Sequence, residues 1–175
     1  MPEQAFTITI KPAEASQLEV LEHEFSPETL SKHHYKRYEV QKRGEGVYLI
    51  AWHEHTPVGH FLLRWSGPAD ARVVRYVDVT QSAFLEAGRT QVAYQRKGIA
   101  TELIREAERV AKEQGCTQIG LEVGSTDNPD AKRLYEHLGY VDWGHGDFLI
   151  CWESIDRNGN TGTESELVTY MYKPL

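Results

Sequence analysis

Apolar positions along this chain switch between two periods. Phe6, Ile8 and Ile10 alternate with threonines, the period-two pattern of a half-buried strand. Leu18, Leu21 and Phe25 then recur at helical spacing. Ser26-Pro27 reads as an N-cap with proline at the first helical position, and predicts a second helix running towards Gln41. Residues 47–52 and 58–65 form two strands around His53-Glu54-His55-Thr56-Pro57, an antiparallel hairpin. Residues 66–72 are a polar Gly/Pro turn region, and 73–79 alternate well enough for a short strand or edge insertion. Residues 84–92 predict a further strand, in which Gly88 marks a bulge or a close backbone approach.

The strongest periodicity lies at 98–114. Ile99, Leu103, Ala107 and Val110 share a stripe, with Ala100, Ile104 and Ala111 beside it. Glu102, Arg105, Glu106, Arg109, Lys112 and Glu113 cover the opposite face, and Gly115 supplies the stop. A buried-looking strand follows at 117–123. Asn128-Pro129 caps a helix that ends at Gly139. Residues 148–152 and 167–172 read as closing strands around a polar loop, 156–163, expected to be mobile. Repeats and linkers are absent from this reading, which gives one α/β domain over 1–175 with a mixed sheet.

Composition changes this picture little. With 175 residues, 40% apolar and 26% charged, the chain has the make-up of an ordinary globular domain. It has no run of eighteen apolar residues, and Met1-Pro2-Glu3-Gln4 carries no basic or apolar leader pattern, so a cytoplasmic location is expected and a membrane partner is not. Cys116 and Cys151 lack metal or redox spacing and are expected to be buried thiols. The net charge of −7 argues against a nucleic-acid partner, whose phosphates demand a basic surface, and mildly favours a cationic one.

The chemistry concentrates between Val92 and Tyr140. Gln95-Arg96-Lys97-Gly98-Ile99-Ala100 is a short basic, glycine-containing turn that leads straight into the best helix. Backbone N–H groups at a helix start lack intrahelical partners, and the helix dipole favours an anion beside them. A nucleoside-triphosphate loop would need Gly-Lys-Ser/Thr, but Lys97-Gly98 is followed by Ile99. A dinucleotide fingerprint would need three glycines, and this turn has one. A basic loop that merely begins a helix remains the other reading. His53 and His55 alternate on a hairpin tip with no third ligand nearby, so no metal site is read there. His33 and His34, beside Tyr35, Arg37 and Tyr38, read as a solvated helix face.

The ordered set decides between these readings. Gln-x-x-Gly-x-Ala is followed by Leu103-Ile104, Ala107-Glu108 and Gly115. Then come Leu121-x-Val123, Asn128-x-x-Ala131, Leu134-Tyr135, Gly139-Tyr140 and the closing Tyr170-Met171-Tyr172-Lys173. In this order the chain resembles the GNAT superfamily of acyl-CoA N-acyltransferases, most closely over residues 80–145. It departs from the family pattern at Ala100, where glycine is commoner, and at Thr90, where an aliphatic residue is usual. The resemblance implies a mostly antiparallel twisted sheet flanked by helices. It implies acetyl-CoA as co-substrate, no metal, and direct attack by a primary amine. A small polycationic or aminoglycoside-like amine is favoured as acceptor and a protein amine is possible; a non-catalytic acyl-CoA sensor is the alternative.

The same resemblance assigns roles. Tyr135 would be the acid that protonates the departing thiolate. Glu86, on the strand before the turn, would be the base, with a solvated strand face as its other reading and His145 as an alternative base. Backbone at Thr90, Gln91 and Val92 would run beside the pantetheine arm and offer an N–H to the thioester carbonyl. Gln95, Arg96, Lys97, Gly98, Ile99, Ala100 and Thr101 would hold the pyrophosphate, helped by Lys132 and Arg133. Asn128 would both cap its helix and touch pantetheine. An exposed last strand would be the route to a homodimer.

Overall fold

A computed structural model describes residues 5–175; the segment 1–4, on which the leader reading falls, lies outside the described residues. In chain order the elements are β1 (Thr9–Pro12), α1 (Leu18–Phe25), α2 (His33–Lys42), β2 (Gly46–His53), β3 (Thr56–Arg64), the single turn α3 (Ala71–Val74) and β4 (Ser82–Thr90). Then follow α4 (Ile99–Glu113), β5 (Gln118–Gly124), α5 (Pro129–His137), β6 (Val141–Asp142), β7 (Phe148–Ile155) and β8 (Thr161–Pro174). They build an eight-stranded sheet in the order β1-β2-β3-β4-β5-β8-β6, with β7 also on β8. Every pairing is antiparallel except β4 with β5. Parallel neighbours need a long crossover, and α4 supplies it.

Both faces of the sheet centre are covered, as β2 shows residue by residue. Val47, Leu49 and Ala51 pack with the α4 stripe of Ile99, Leu103, Ile104, Ala107 and Ala111. Tyr48 and Ile50, pointing the other way, pack with Leu18, Leu21, Phe25 and Val40 from the α1–α2 side. Leu103 is fully buried in this main core. Leu103→Ala should therefore cost about 2–5 kcal/mol, read as a lower urea midpoint at unchanged slope.

Five expectations are corrected. The second helix starts at His33, not after Ser26. Ser26 ends α1, and its Oγ bonds the His34 ring at 3.1 Å instead of capping. Residues 29–31 are instead held to the end of β7, through Leu30 N–H donating to the Ile155 carbonyl at 2.8 Å and Ile155 N–H donating to Ser31 Oγ at 2.7 Å. Residues 73–79 form no strand: Asp70 accepts the Arg72 N–H at 2.9 Å and caps the turn α3, which buries Val73 against Phe84, Phe148 and Tyr170. The loop 156–163 is shorter than expected, because Thr161, Gly162 and Thr163 already pair with Ile155, Ser154 and Glu153; its residues are polar because this end of the β7–β8 hairpin projects beyond the core. Cys151 lies on that arm and is exposed, whereas Cys116 is buried as expected. The last strand is not free, since β8 is paired with β5 on one side and with β6 and β7 on the other.

Candidate functional site

The sheet parts in its middle. The β4–β5 ladder runs only from Ser82 opposite Gln118 to Leu85 opposite Leu121. Beyond it β5 stays with β8 through Gly124, while β4 stays with β3. Glu86 and Glu122 are the first residues past the fork, one on each strand. The register of β4 on β3 slips here, with Leu62 opposite Glu86 but His60 opposite Arg89. Ala87 is left-handed (φ 59°), and Gly88 lies so close to Phe61 that an added Cβ would sit 2.0 Å from the ring. The sequence signal at Gly88 thus marked both a bulge and a close approach.

A cleft of about 500 Å³ opens on one side of the fork. Gly88, Arg89 and Thr90 line it from β4, Gln95, Arg96 and residues 98–101 from the turn and α4, and Asn128, Leu134 and Tyr135 from α5. Arg96 (φ 62°) and Gly98 (φ 81°) are both left-handed, and among the described residues no side chain caps α4. The first helical bond joins Glu102 N–H to the Gly98 carbonyl, so the N–H groups of Ile99, Ala100 and Thr101 are left for an outside acceptor. This is a ready anion cradle at the positive end of a fifteen-residue helix. Asn128 Oδ1 caps α5 by accepting the Ala131 N–H at 3.1 Å while also facing the cleft. Tyr135 stacks edge-on against Tyr140, with centroids 5.7 Å apart, and burial pushes its phenol pKa well up.

Other predicted contacts stand elsewhere. Val92 is 81% exposed. The Gln91 N–H is spent on the Val58 carbonyl at 2.9 Å, so it is not available to a thioester oxygen. The Lys97 ammonium lies over the Phe6 ring, Lys132 bonds Asp142 at 3.2 Å, and Arg133 pairs with Asp130 at 3.6 Å. None of these five lines the cleft. His145 stacks on Tyr76 at 3.9 Å and lines neither cavity, so the structure does not place it as a base.

A larger cavity of about 900 Å³ opens on the other side of the fork, between α2, β3 and β4 and the β7–β8 arm. Glu86 faces it, with its carboxylate accepting from Arg64 Nε at 2.8 Å. Glu122 faces it too, and sequence reasoning passed over this residue. The available signal was a lone carboxylate between Leu121 and Val123 in a strand of core residues. Glu122 makes no hydrogen bond or ion pair among the described residues. Burial, aided by the negative charges of Asp70, Glu86 and Glu166 and opposed by Arg72, pushes its carboxyl up to about 7. Burial also raises Glu166. The solvated-face reading of His33 and His34 is corrected: His34 is fully buried, and His33 borders the cavity.

With this geometry in view, comparison identifies the class. The model of the GNAT acetyltransferase family matches residues 15–140, so the chain belongs to that family. It is an acetyl-CoA-dependent N-acetyltransferase with the family's fold. Among solved structures it is similar to the ribosomal-protein-S18-alanine N-acetyltransferase from Escherichia coli (TM-score 0.64, 17% identity, covering 96% of this chain and 94% of that one). It is also similar to the ribosomal-protein-alanine N-acetyltransferase from Brucella melitensis (0.67, 17%, 95% and 99%). A third is a putative acetyltransferase from Salmonella typhimurium solved with its cofactor acetyl-CoA (0.63, 16%, 96% and 94%). A search of curated proteins found no match. No helix among the described residues is long and apolar enough to cross a membrane.

Proposed function

We propose that the smaller cleft holds acetyl-CoA, that the larger cavity holds a small primary amine, and that the acetyl group passes directly between them. One observation carries this reading: the two cavities share Gly88 and Arg89, so occupants of both would meet at the β4 bulge. The residues fit such a co-substrate. The uncapped start of α4 suits a pyrophosphate, and the edge of β4 that β5 abandons suits an amide-bearing arm. When bound, acetyl-CoA supplies the activated acetyl thioester.

The chain then has to move two protons. An aliphatic amine is almost wholly protonated at neutral pH, its pKa being about 10.4, and becomes a nucleophile only after losing that proton. Glu122, at about 7, is poised in the range a general base needs. Glu86 is the second carboxylate at the fork; with Arg64 it sets the local charge beside Glu122. Tyr135, protonated across the working range, is the donor for the departing sulfur. The carboxylates of the larger cavity favour a cationic acceptor over a neutral one.

Calorimetric titration with acetyl-CoA, with ATP and NAD as controls, tests the cradle. Selective acetyl-CoA binding is expected, weakened at least about tenfold by Gly98→Val, because a β-branched residue is strained at φ 81°. Equal binding by the Gly98→Val protein would remove the α4 start from the site. No binding at millimolar acetyl-CoA would remove the reading altogether.

A further inference from the structure

The larger cavity is not uniformly acidic. Its β7–β8 and fork walls carry Glu122, Glu153, Glu164 and Glu166, but its α2–β3 wall carries Lys36, Arg37 and His60. Arg37 is half-buried and makes no ion pair among the described residues, unlike Arg64, which holds Glu86. Glu22, on α1, is turned to the N–H groups of His34 and Tyr35 at 2.8 and 3.4 Å. His60 is 2% exposed and lines the cavity, and neither ring nitrogen makes a well-formed hydrogen bond among the described residues, the Ala87 backbone being a marginal polar neighbour. Around it stand the rings of Phe25, His34 and Tyr48, with centroids 4.6, 5.1 and 5.6 Å away. His34 is already satisfied, by Tyr48 Oη at 2.6 Å and Ser26 Oγ at 3.1 Å, so it cannot serve His60.

A half-buried guanidinium without a carboxylate and a buried imidazole without a well-formed hydrogen bond make a site for an anion that brings its own acceptor oxygens. Burial and the nearby Arg37 and Arg89 charges hold His60 neutral, so one ring N–H is available to donate. We infer that the acceptor is an amino-acid-type zwitterion, whose carboxylate is held by Arg37 and His60 while its amine faces the fork carboxylates. This rests on the acetyl-transfer reading of the cavity and narrows it. The spacing agrees: His60 and Leu62 lie on one face of β3, and Glu86 is opposite Leu62. From His60 to Glu86 is two residues along a strand and one strand across, about 8 Å, a gap that a small zwitterion spans with one hydrogen bond at each end. A polyamine would place a cation beside Arg37.

The test uses matched pairs that differ only at the carboxylate: methionine against methioninamide, and lysine against 1,5-diaminopentane. Each is titrated calorimetrically into the coenzyme A-saturated protein and assayed for thiol release from acetyl-CoA. The zwitterions should bind about tenfold or more tighter than their partners. Arg37→Met should abolish that preference and Arg37→Lys restore part of it, with acetyl-CoA affinity as the folding control. Equal or tighter binding of the amide and diamine, or a preference indifferent to Arg37→Met, would overturn the inference. Should Arg37→Met fail to fold, His60→Phe provides the second variant, and an undiminished carboxylate preference there would overturn it equally. Zwitterion binding without thiol release would keep the anion site and remove acetyl transfer to it. Thiol release with diamines alone would keep transfer and remove the anion site.

Discussion

Tyr135→Phe is expected to lower kcat about 10²- to 10³-fold while acetyl-CoA affinity stays within about threefold. The substitution removes one hydroxyl and leaves the ring, so the edge-on packing against Tyr140 survives. Burial holds the phenol above its ordinary pKa, which keeps the proton in place at every pH where the protein is folded. A rate loss confined to kcat would mark a group acting on the departing sulfur rather than on binding. Single-turnover thiol release beside calorimetry separates the two. An unchanged kcat with acetyl-CoA still bound would remove Tyr135 as the acid.

Glu122→Gln should reduce kcat/KM by about 10²-fold or more and abolish the acid limb of its pH profile. In the parent protein activity should fall as pH drops below about 7, because the base is then protonated. Glu86→Gln should leave that limb in place, since its principal loss is the ion pair with Arg64. The same carboxyl predicts a stability change of opposite sense. Its pKa is raised from 4.5 to about 7 on folding, so the folded chain holds the proton more tightly than the unfolded one. Its contribution is favourable while it is protonated and is lost as pH rises from about 4.5 through about 7. Glu122→Gln should therefore raise Tm at pH 8, by the equivalent of about 1–2 kcal/mol once residual solvent access is allowed for, and do little at pH 4. A variant that is inactive and no more stable at pH 8 would place Glu122 outside the buried, carboxylate-bearing environment described above.

Much of the cleft at the start of α4 was legible in the sequence because its signals are local. Gln95 to Thr101 meets its helix within a few residues, and Asn128 caps α5 within three. Gly88 announces its bulge in a single position. The larger cavity was not, because its residues converge from distant segments. Glu122 looks like any polar residue in a strand until β4 and β5 part beside it. Arg37 and His60 lie 23 residues apart and come together only on the wall of the larger cavity. Ser26-Pro27 carried a strong local cap signal, yet tertiary bonds to His34 and to Ile155 outweighed it. The polar residues 161–163 read as loop because strand pairing there buries nothing, and alternation is visible only where one face is covered.

The tie between residues 29–31 and the end of β7 has a mechanical meaning. The two halves of the sheet share only four paired positions where β4 meets β5, and beyond them the backbone diverges like the arms of tongs. At the far tips the arms are caught again, by Leu30 and Ser31 on Ile155 and by the bridge from Thr29 to Asp156. The gap is therefore pinned at hinge and latch alike. Any widening of the gap must first undo the latch, so the stiffness of those few part-buried bonds sets how far the jaws can open.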